Sequence, residues 1–184
     1  MKKHILFIIG SLRKESFNLA LARKAEEIIG NQADISYLDY GDVPLMNQDI
    51  EFPALAAVAK LRNAVDKADG IWVFTPEYNY SYPGHVKNIF DWLSRPLVAS
   101  DTKTPTVIKG KKTTLSGAGG AGQTAKCREK LTELLTFIGA EIMPTQQTGI
   151  ALSAESWAKN KLILTDEQIQ RLRQQAEDFL RFIS

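Results

Sequence analysis

The 184-residue chain predicts an α/β fold, a parallel sheet with helices on both faces, in one domain spanning residues 1–184. Three observations point there. Short apolar runs alternate with helix-length amphipathic stretches along the whole chain. Two of the runs, Ile5-Leu6-Phe7-Ile8-Ile9 and Gly70-Ile71-Trp72-Val73-Phe74, are apolar throughout, as strands buried on both faces are. Each is followed by a polar loop and then by a helix with a recognisable start.

Strand one covers about 4–9. Met1-Lys2-Lys3-His4 before it has the look of a signal peptide, but the apolar run is too short and Arg13, Lys14 and Glu15 follow at once. Helix one, about 17–29, stripes Leu21, Ala25 and Ile28, and Gly30 stops it. Strand two is about 33–38. Helix two, about 53–68, begins at Pro53 and lines up Val58, Leu61, Val65 and Ala68. Strand three, 70–74, leads through a polar, aromatic loop into a helix opening with Pro83 and carrying Val86, Ile89, Phe90 and Leu93 on one face. Asp91 and Arg95 read as an i,i+4 surface pair there. A loop over 96–110 precedes a weakly apolar strand four at about 111–116. Helix four, about 122–138, ends at Gly139, and strand five is about 140–146. A loop to 164 leads to the last helix, whose Thr165-Asp166-Glu167-Gln168 start is a capping box.

Three loops carry chemistry. The first is Gly10-Ser11-Leu12-Arg13-Lys14-Glu15-Ser16-Phe17-Asn18, at the start of helix one. Free amides and a partial positive charge at a helix start attract phosphate, Ser11, Ser16 and Asn18 add small donors, and Arg13 can fork two bonds to its oxygens. An ordinary turn capped by Ser16 is the plainer alternative. No Gly-Lys-Ser/Thr ending marks a P-loop. The second is Thr75-Pro76-Glu77-Tyr78-Asn79, whose rigid backbone, amides and aromatic surface suit a flat heterocycle; amphipathic surface or a subunit interface is the alternative for its tyrosines. In the order 2-1-3-4-5, strands one and three are neighbours, and the gap between them is a ligand-binding switch point. The third loop, Ser116-Gly117-Ala118-Gly119-Gly120-Ala121-Gly122, contains G-x-G-x-x-G, with Glu141 at the distance of a ribose acid. That fingerprint belongs to a first βα unit, whereas here it sits in the fourth, so Gly119 and Gly120 read as backbone approaching a ring system closely.

Other features bound the function. Lys plus Arg number 23 and Asp plus Glu 21, a net charge of +2 that argues against nucleic acid or an anionic membrane as partner. No stretch reaches the ~20 apolar residues of a membrane span. One cysteine, Cys127, allows no internal disulfide, and a cytoplasmic setting is expected. Cys127 falls on the apolar stripe of helix four and reads as a core thiol. His4 and His85 have no companion ligands for a metal.

On loops one and two, the second running on through Ser81, Pro83-Gly84, Lys87-Asn88 and Asp91-Trp92, the chain resembles the NADPH-dependent FMN reductase family, which includes quinone, chromate and azo-dye reductases. The resemblance covers roughly residues 1–150. It implies a flavodoxin-like three-layer sandwich around a five-stranded parallel sheet in the order 2-1-3-4-5. It also implies an FMN phosphate held by Ser11, Arg13, Ser16, Phe17 and Asn18, a ring lined by Pro76, Glu77, Tyr78 and Asn79, and closure by Ser116. NADPH or NADH would deliver hydride, and quinones, flavins or azo compounds would accept it, in a homodimer or homotetramer with Tyr82 and Trp92 near the interface. Family members often place Arg shortly after paired glycines, where this chain has Gln123 and Thr124. A flavodoxin-type electron carrier and a nicotinamide-only dehydrogenase are the competing expectations.

Overall fold

A computed structural model describes residues 2–101 and 103–184. The elements run β1 (Lys3–Ile9), α1 (Phe17–Ile29), β2 (Ala33–Tyr37), α2 (Ala56–Lys67), β3 (Gly70–Phe74), α3 (Gly84–Leu93), β4 (Lys112–Gly119), α4 (Ala125–Phe137), β5 (Glu141–Ile142), β6 (Thr148–Ala151), α5 (Ala154–Lys159) and α6 (Asp166–Ile183). Successive strand side chains point to opposite faces. Ile5, Phe7, Trp72 and Phe74 therefore enter one core layer, and Leu6, Ile8, Ile71 and Val73 the other. The first layer is closed by α1 and α6 through Leu21, Ala25, Leu172 and Phe179. The second is closed by α2, α3 and α4 through Val58, Leu61, Phe90 and Leu131. Each such side chain contributes about 1.5–3 kcal/mol by leaving water, so both faces of the sheet must be covered.

All strands pair in parallel in the order β2-β1-β3-β4, with β5 and β6 sharing the fifth position beside β4. This is the flavodoxin-like three-layer sheet, and its fifth strand is split. Thr113 pairs with Ile142 and Ser116 with Thr148, so the fifth position uses more chain than β4 does between the same rungs. The expected strand at 140–146 is thus only Glu141–Ile142, and the stretch to 164 holds β6 and α5. Because β6 supplies partners for residues 116–119, β4 runs on past 116 through Gly117 and Gly119. The glycine run is mostly strand, which removes the dinucleotide fingerprint. Glu141 pairs with Lys112 at the opposite end of β4 from that run, out of reach of any ribose there.

Helix two begins at Ala56 rather than Pro53, because the preceding chain is held elsewhere. Glu51, buried, accepts from Arg95 Nε at 2.9 Å and Nη2 at 3.0 Å. Arg95 is therefore not the partner of Asp91, which pairs with Lys87 at 2.6 Å. Trp92 is fully buried and donates to Pro44 O at 2.8 Å, so it cannot form an interface. The capping box at Thr165 and Gln168 forms as expected. Within α6, Gln175 is buried against the sheet. Its Nε2 donates to Thr114 Oγ1 (2.8 Å) and Leu115 O (2.9 Å), and its Oε1 accepts from Thr148 N (2.8 Å) and Ser116 Oγ (2.9 Å). Among the described residues, no helix is long and apolar enough to cross a membrane.

Candidate functional site

Loops one, two and three all leave the C-terminal ends of their strands. The first two begin in contact. Gly10 N donates to Phe74 O at 2.7 Å, and a Cβ on Gly10 would lie 2.7 Å from Thr75 Oγ1. Only glycine lets the chains leave β1 and β3 this close together. The crevice they frame lies where the strand order reverses.

Loop one ends in a capped helix. Ser16 Oγ accepts from Asn18 N (3.2 Å) and Leu19 N (3.4 Å). The amides of Glu15 and Phe17 find no acceptor among the described residues, which leaves an anion-ready helix start. Ser11 is half-buried, and its Oγ accepts from Arg13 N at 3.4 Å. Asn18 departs from expectation. Its Nδ2 donates to Ala118 O (3.1 Å) and its Oδ1 accepts from Ala118 N (2.9 Å), so the carboxamide ties α1 to β4 instead of standing open to an anion.

Arg13 is exposed. Its guanidinium donates to Asn160 Oδ1 and sits 5.5 Å from the centroid of the Phe17 ring. Asn160 Nδ2 donates in turn to Glu15 Oε2 at 2.7 Å, and Phe17 meets Trp157 edge to face at 5.2 Å. Sequence reasoning missed this brace from α5. Its signals were Ser153, which caps the short helix, and Asn160, which ends it in a left-handed conformation.

Loop two is a tight hairpin. Tyr78 N donates to Ser81 O (2.9 Å) and Ser81 N to Tyr78 O (3.0 Å) around Asn79 and Tyr80, both with left-handed φ of 52° and 59°. Tyr78 and Tyr80 are exposed. The amides of Glu77 and Asn79 have no protein acceptor among the described residues. The Glu77 carboxylate is engaged, accepting from Cys127 N in the first turn of α4 at 2.9 Å, a favourable place for a negative charge. Glu77 thus acts through its backbone or as a cap, not as a free base.

Loop three corrects one expectation outright. Ser116 is fully buried, accepting from Trp72 Nε1 at 3.0 Å and donating to Gln175, so its hydroxyl faces the α6 side and cannot close a site. A Cβ on Gly117 would come within 2.3 Å of both Thr75 O and Thr124 Oγ1, so this glycine serves strand and loop packing rather than a ring. Gly119 ends β4, and Gly120 follows with open space beside its Cα. Gln123 and Thr124, where the expected Arg is missing, have φ of 52° and 57°. Five of the six described non-glycine residues with positive φ, Asn79, Tyr80, Gln123, Thr124 and Asn160, lie in these loops or in the brace. Such strain costs about 1–3 kcal/mol per residue and gathers where geometry must be held for a ligand.

Beside the crevice, the Tyr40 ring stacks on His85 at 5.7 Å, and its hydroxyl donates to Ile9 O. Burial lowers the His85 imidazole pKa and favours its neutral form. Burial pushes the Cys127 thiol up to about 11, while Thr75 pulls weakly the other way. The thiolate therefore forms only near that pH, about one part in a thousand at pH 8. Iodoacetamide at pH 8 is expected to label native Cys127 at least about a hundredfold more slowly than the unfolded chain; equal rates would contradict the burial.

Residues 3–155 match the model of the NADPH-dependent FMN reductase family. The chain belongs to that family. The quinone reductase of Escherichia coli strain K12 is 35% identical over 147 residues, covering 77% of this chain and 74% of its own. An NAD(P)H-dependent FMN reductase of Pseudomonas aeruginosa is 31% identical over 176 residues, covering 94% and 91%. Among solved structures, FerB of Paracoccus denitrificans, a flavoenzyme NAD(P)H:(acceptor) oxidoreductase, superposes with a TM-score of 0.86 at 28% identity, covering 98% of this chain and 97% of its own. The protein is accordingly an oxidoreductase with FMN as cofactor and NAD(P)H as electron donor, rather than a carrier or a nicotinamide-only dehydrogenase. The family match stops before Trp157 and Asn160, so the brace on Arg13 lies outside it.

Proposed function

We propose that this FMN reductase family member passes electrons from NADPH or NADH through FMN held in the β1–β3 crevice to quinones, with free flavins and azo compounds as further acceptors. The carrying observation is the contact of Gly10 with Phe74 and Thr75, which sets an anion-ready helix start beside a rigid aromatic hairpin. The residues present fit the cofactor. The open amides of Glu15 and Phe17, with Ser11 and Arg13, suit its phosphate. The backbone of Pro76, Glu77, Tyr78 and Asn79, with Gly119 and Gly120 at the end of β4, suits its ring.

FMN, when bound, supplies the hydride chemistry. The chain's own work is placement and electrostatics. The free amides of Glu77 and Asn79 are fixed dipoles that stabilise negative charge without reorganising. Strained φ angles at Asn79 and Tyr80 hold those dipoles in one orientation. Exposed Tyr78 and Tyr80 offer flat apolar surface to a planar acceptor, and protonated, buried Cys127 is shielded from electrophilic quinones. We further place the protein in the cytoplasm, the whole chain acting as one FMN-binding unit within a homodimer or homotetramer.

Purified, FMN-loaded protein is expected to lose its flavin absorbance on anaerobic addition of NADPH, to regain it with benzoquinone, and to sediment as a dimer or tetramer. No bleaching by either nicotinamide would end the proposal; a monomer would remove the assembly.

A further inference from the structure

Loop two is tied to α4 at three consecutive residues. Thr75 Oγ1 lies 3.7 Å from Cys127 Sγ, Cys127 Sγ donates to Pro76 O at 3.3 Å, and Glu77 Oε2 accepts from Cys127 N at 2.9 Å. The helix has no cap of its own: Thr124, before Ala125, is left-handed and its side chain makes no capping bond. Glu77, fifty positions earlier, supplies it.

The Glu77 carboxylate is half-buried and carries more charge than its surroundings offset. The two cations beside it on α4 are committed elsewhere. Lys126 pairs with Glu129 at 2.9 Å, and the Arg128 guanidinium donates to Thr124 Oγ1, to Gln123 O and to both oxygens of Gln147. A helix start offers only about half an elementary charge in return. The second oxygen, Oε1, accepts no hydrogen bond among the described residues and looks across to loop three, 4.0 Å from where a Cβ on Gly122 would stand.

We propose that the Glu77 side chain is a positioning residue for the flavin: its bond to α4 fixes the open amide of the same residue against the ring, and its charge, held between loops two and three, lowers the reduction potential of the bound cofactor. The inference rests on the function proposed above, with the ring against loop two. Amide and carboxylate belong to one residue, so anchoring the second orients the first. Reduction leaves negative charge on the ring, which the amide favours and a fixed carboxylate nearby opposes. The amide holds the ring in place, while the carboxylate keeps the reduced cofactor a strong donor to the acceptor.

The test compares Glu77→Gln and Glu77→Ala with the wild type. Gln keeps an oxygen for Cys127 N and removes the charge, whereas Ala removes both. Glu77→Ala is expected to bind FMN and riboflavin alike about tenfold more weakly, and Glu77→Gln to bind both within about threefold of the wild type. The midpoint potential of bound FMN, titrated with dithionite against a reference dye, should rise in Glu77→Gln by about 30 mV, a tenfold gain in the two-electron equilibrium. A merely structural cap would lower the melting temperature of the apoprotein and leave that potential where it was. An unchanged potential in Glu77→Gln overturns the role of the charge, and unchanged riboflavin affinity in Glu77→Ala overturns the positioning. Either result leaves the proposed function standing, which fails instead if neither nicotinamide bleaches the wild type.

Discussion

Replacing Gln175 with Ala is expected to destabilise the fold by about 3–5 kcal/mol, more than any surface change would. The side chain is buried and makes four hydrogen bonds, to Thr114, Leu115, Ser116 and Thr148. Its removal leaves several buried polar groups without partners, each at about 1–3 kcal/mol before any relaxation. One of them, Thr148 N, belongs to the short strand β6, at the rung where its pairing with β4 begins. Urea unfolding should show a lower midpoint with an unchanged slope, and the melting temperature should fall by roughly 10 °C. Gln175→Leu, which keeps the volume and loses the bonds, should be about as harmful. A loss below about 1 kcal/mol for both variants would mean that water satisfies the groups.

Arg13→Ala should weaken FMN binding by about 1.5–3 kcal/mol, or roughly ten- to a hundredfold, the range for a hydrogen bond to a charged group. Riboflavin, which lacks the phosphate, should bind both proteins alike. Asn160 enters the same experiment, because its carboxamide orients Arg13 and Glu15 together. Asn160→Ala should cost less than Arg13→Ala, and the double variant should be no worse than Arg13→Ala alone, as for two residues acting through one contact. An equal loss of riboflavin affinity would move Arg13 to the ring end of the site. Unchanged FMN affinity would remove Arg13 from the site.

The elements legible in the sequence were those whose signals are local. Apolar runs 5–9 and 70–74 became β1 and β3, Gly30 ended α1, and Thr165 with Gln168 opened α6. What misled was the run from Ser116 to Gly122. Glycines look like loop until a partner strand is known, and β6 is too short to announce itself. Asn18 looked like a donor because small polar residues in loops usually are, and the family resemblance put Ser116 at the site. Their commitment to Gln175, Trp72 and Ala118 depends on residues far away in sequence.

By itself the sequence determined the layered α/β architecture and the two loops that frame the crevice, while the neighbouring of β1 and β3 was implied only by the family resemblance. Burial periodicity and helix-end chemistry act over a few residues, so they can be read from a single line of text. Tertiary structure alone decided the split fifth strand, the brace of α5 on Arg13, the capping of α4 by Glu77, and which polar side chains remain open to a ligand. Those outcomes rest on hydrogen bonds between residues from about thirty to about a hundred and fifty positions apart. Such a bond exists only once the sheet has set the distance between its partners.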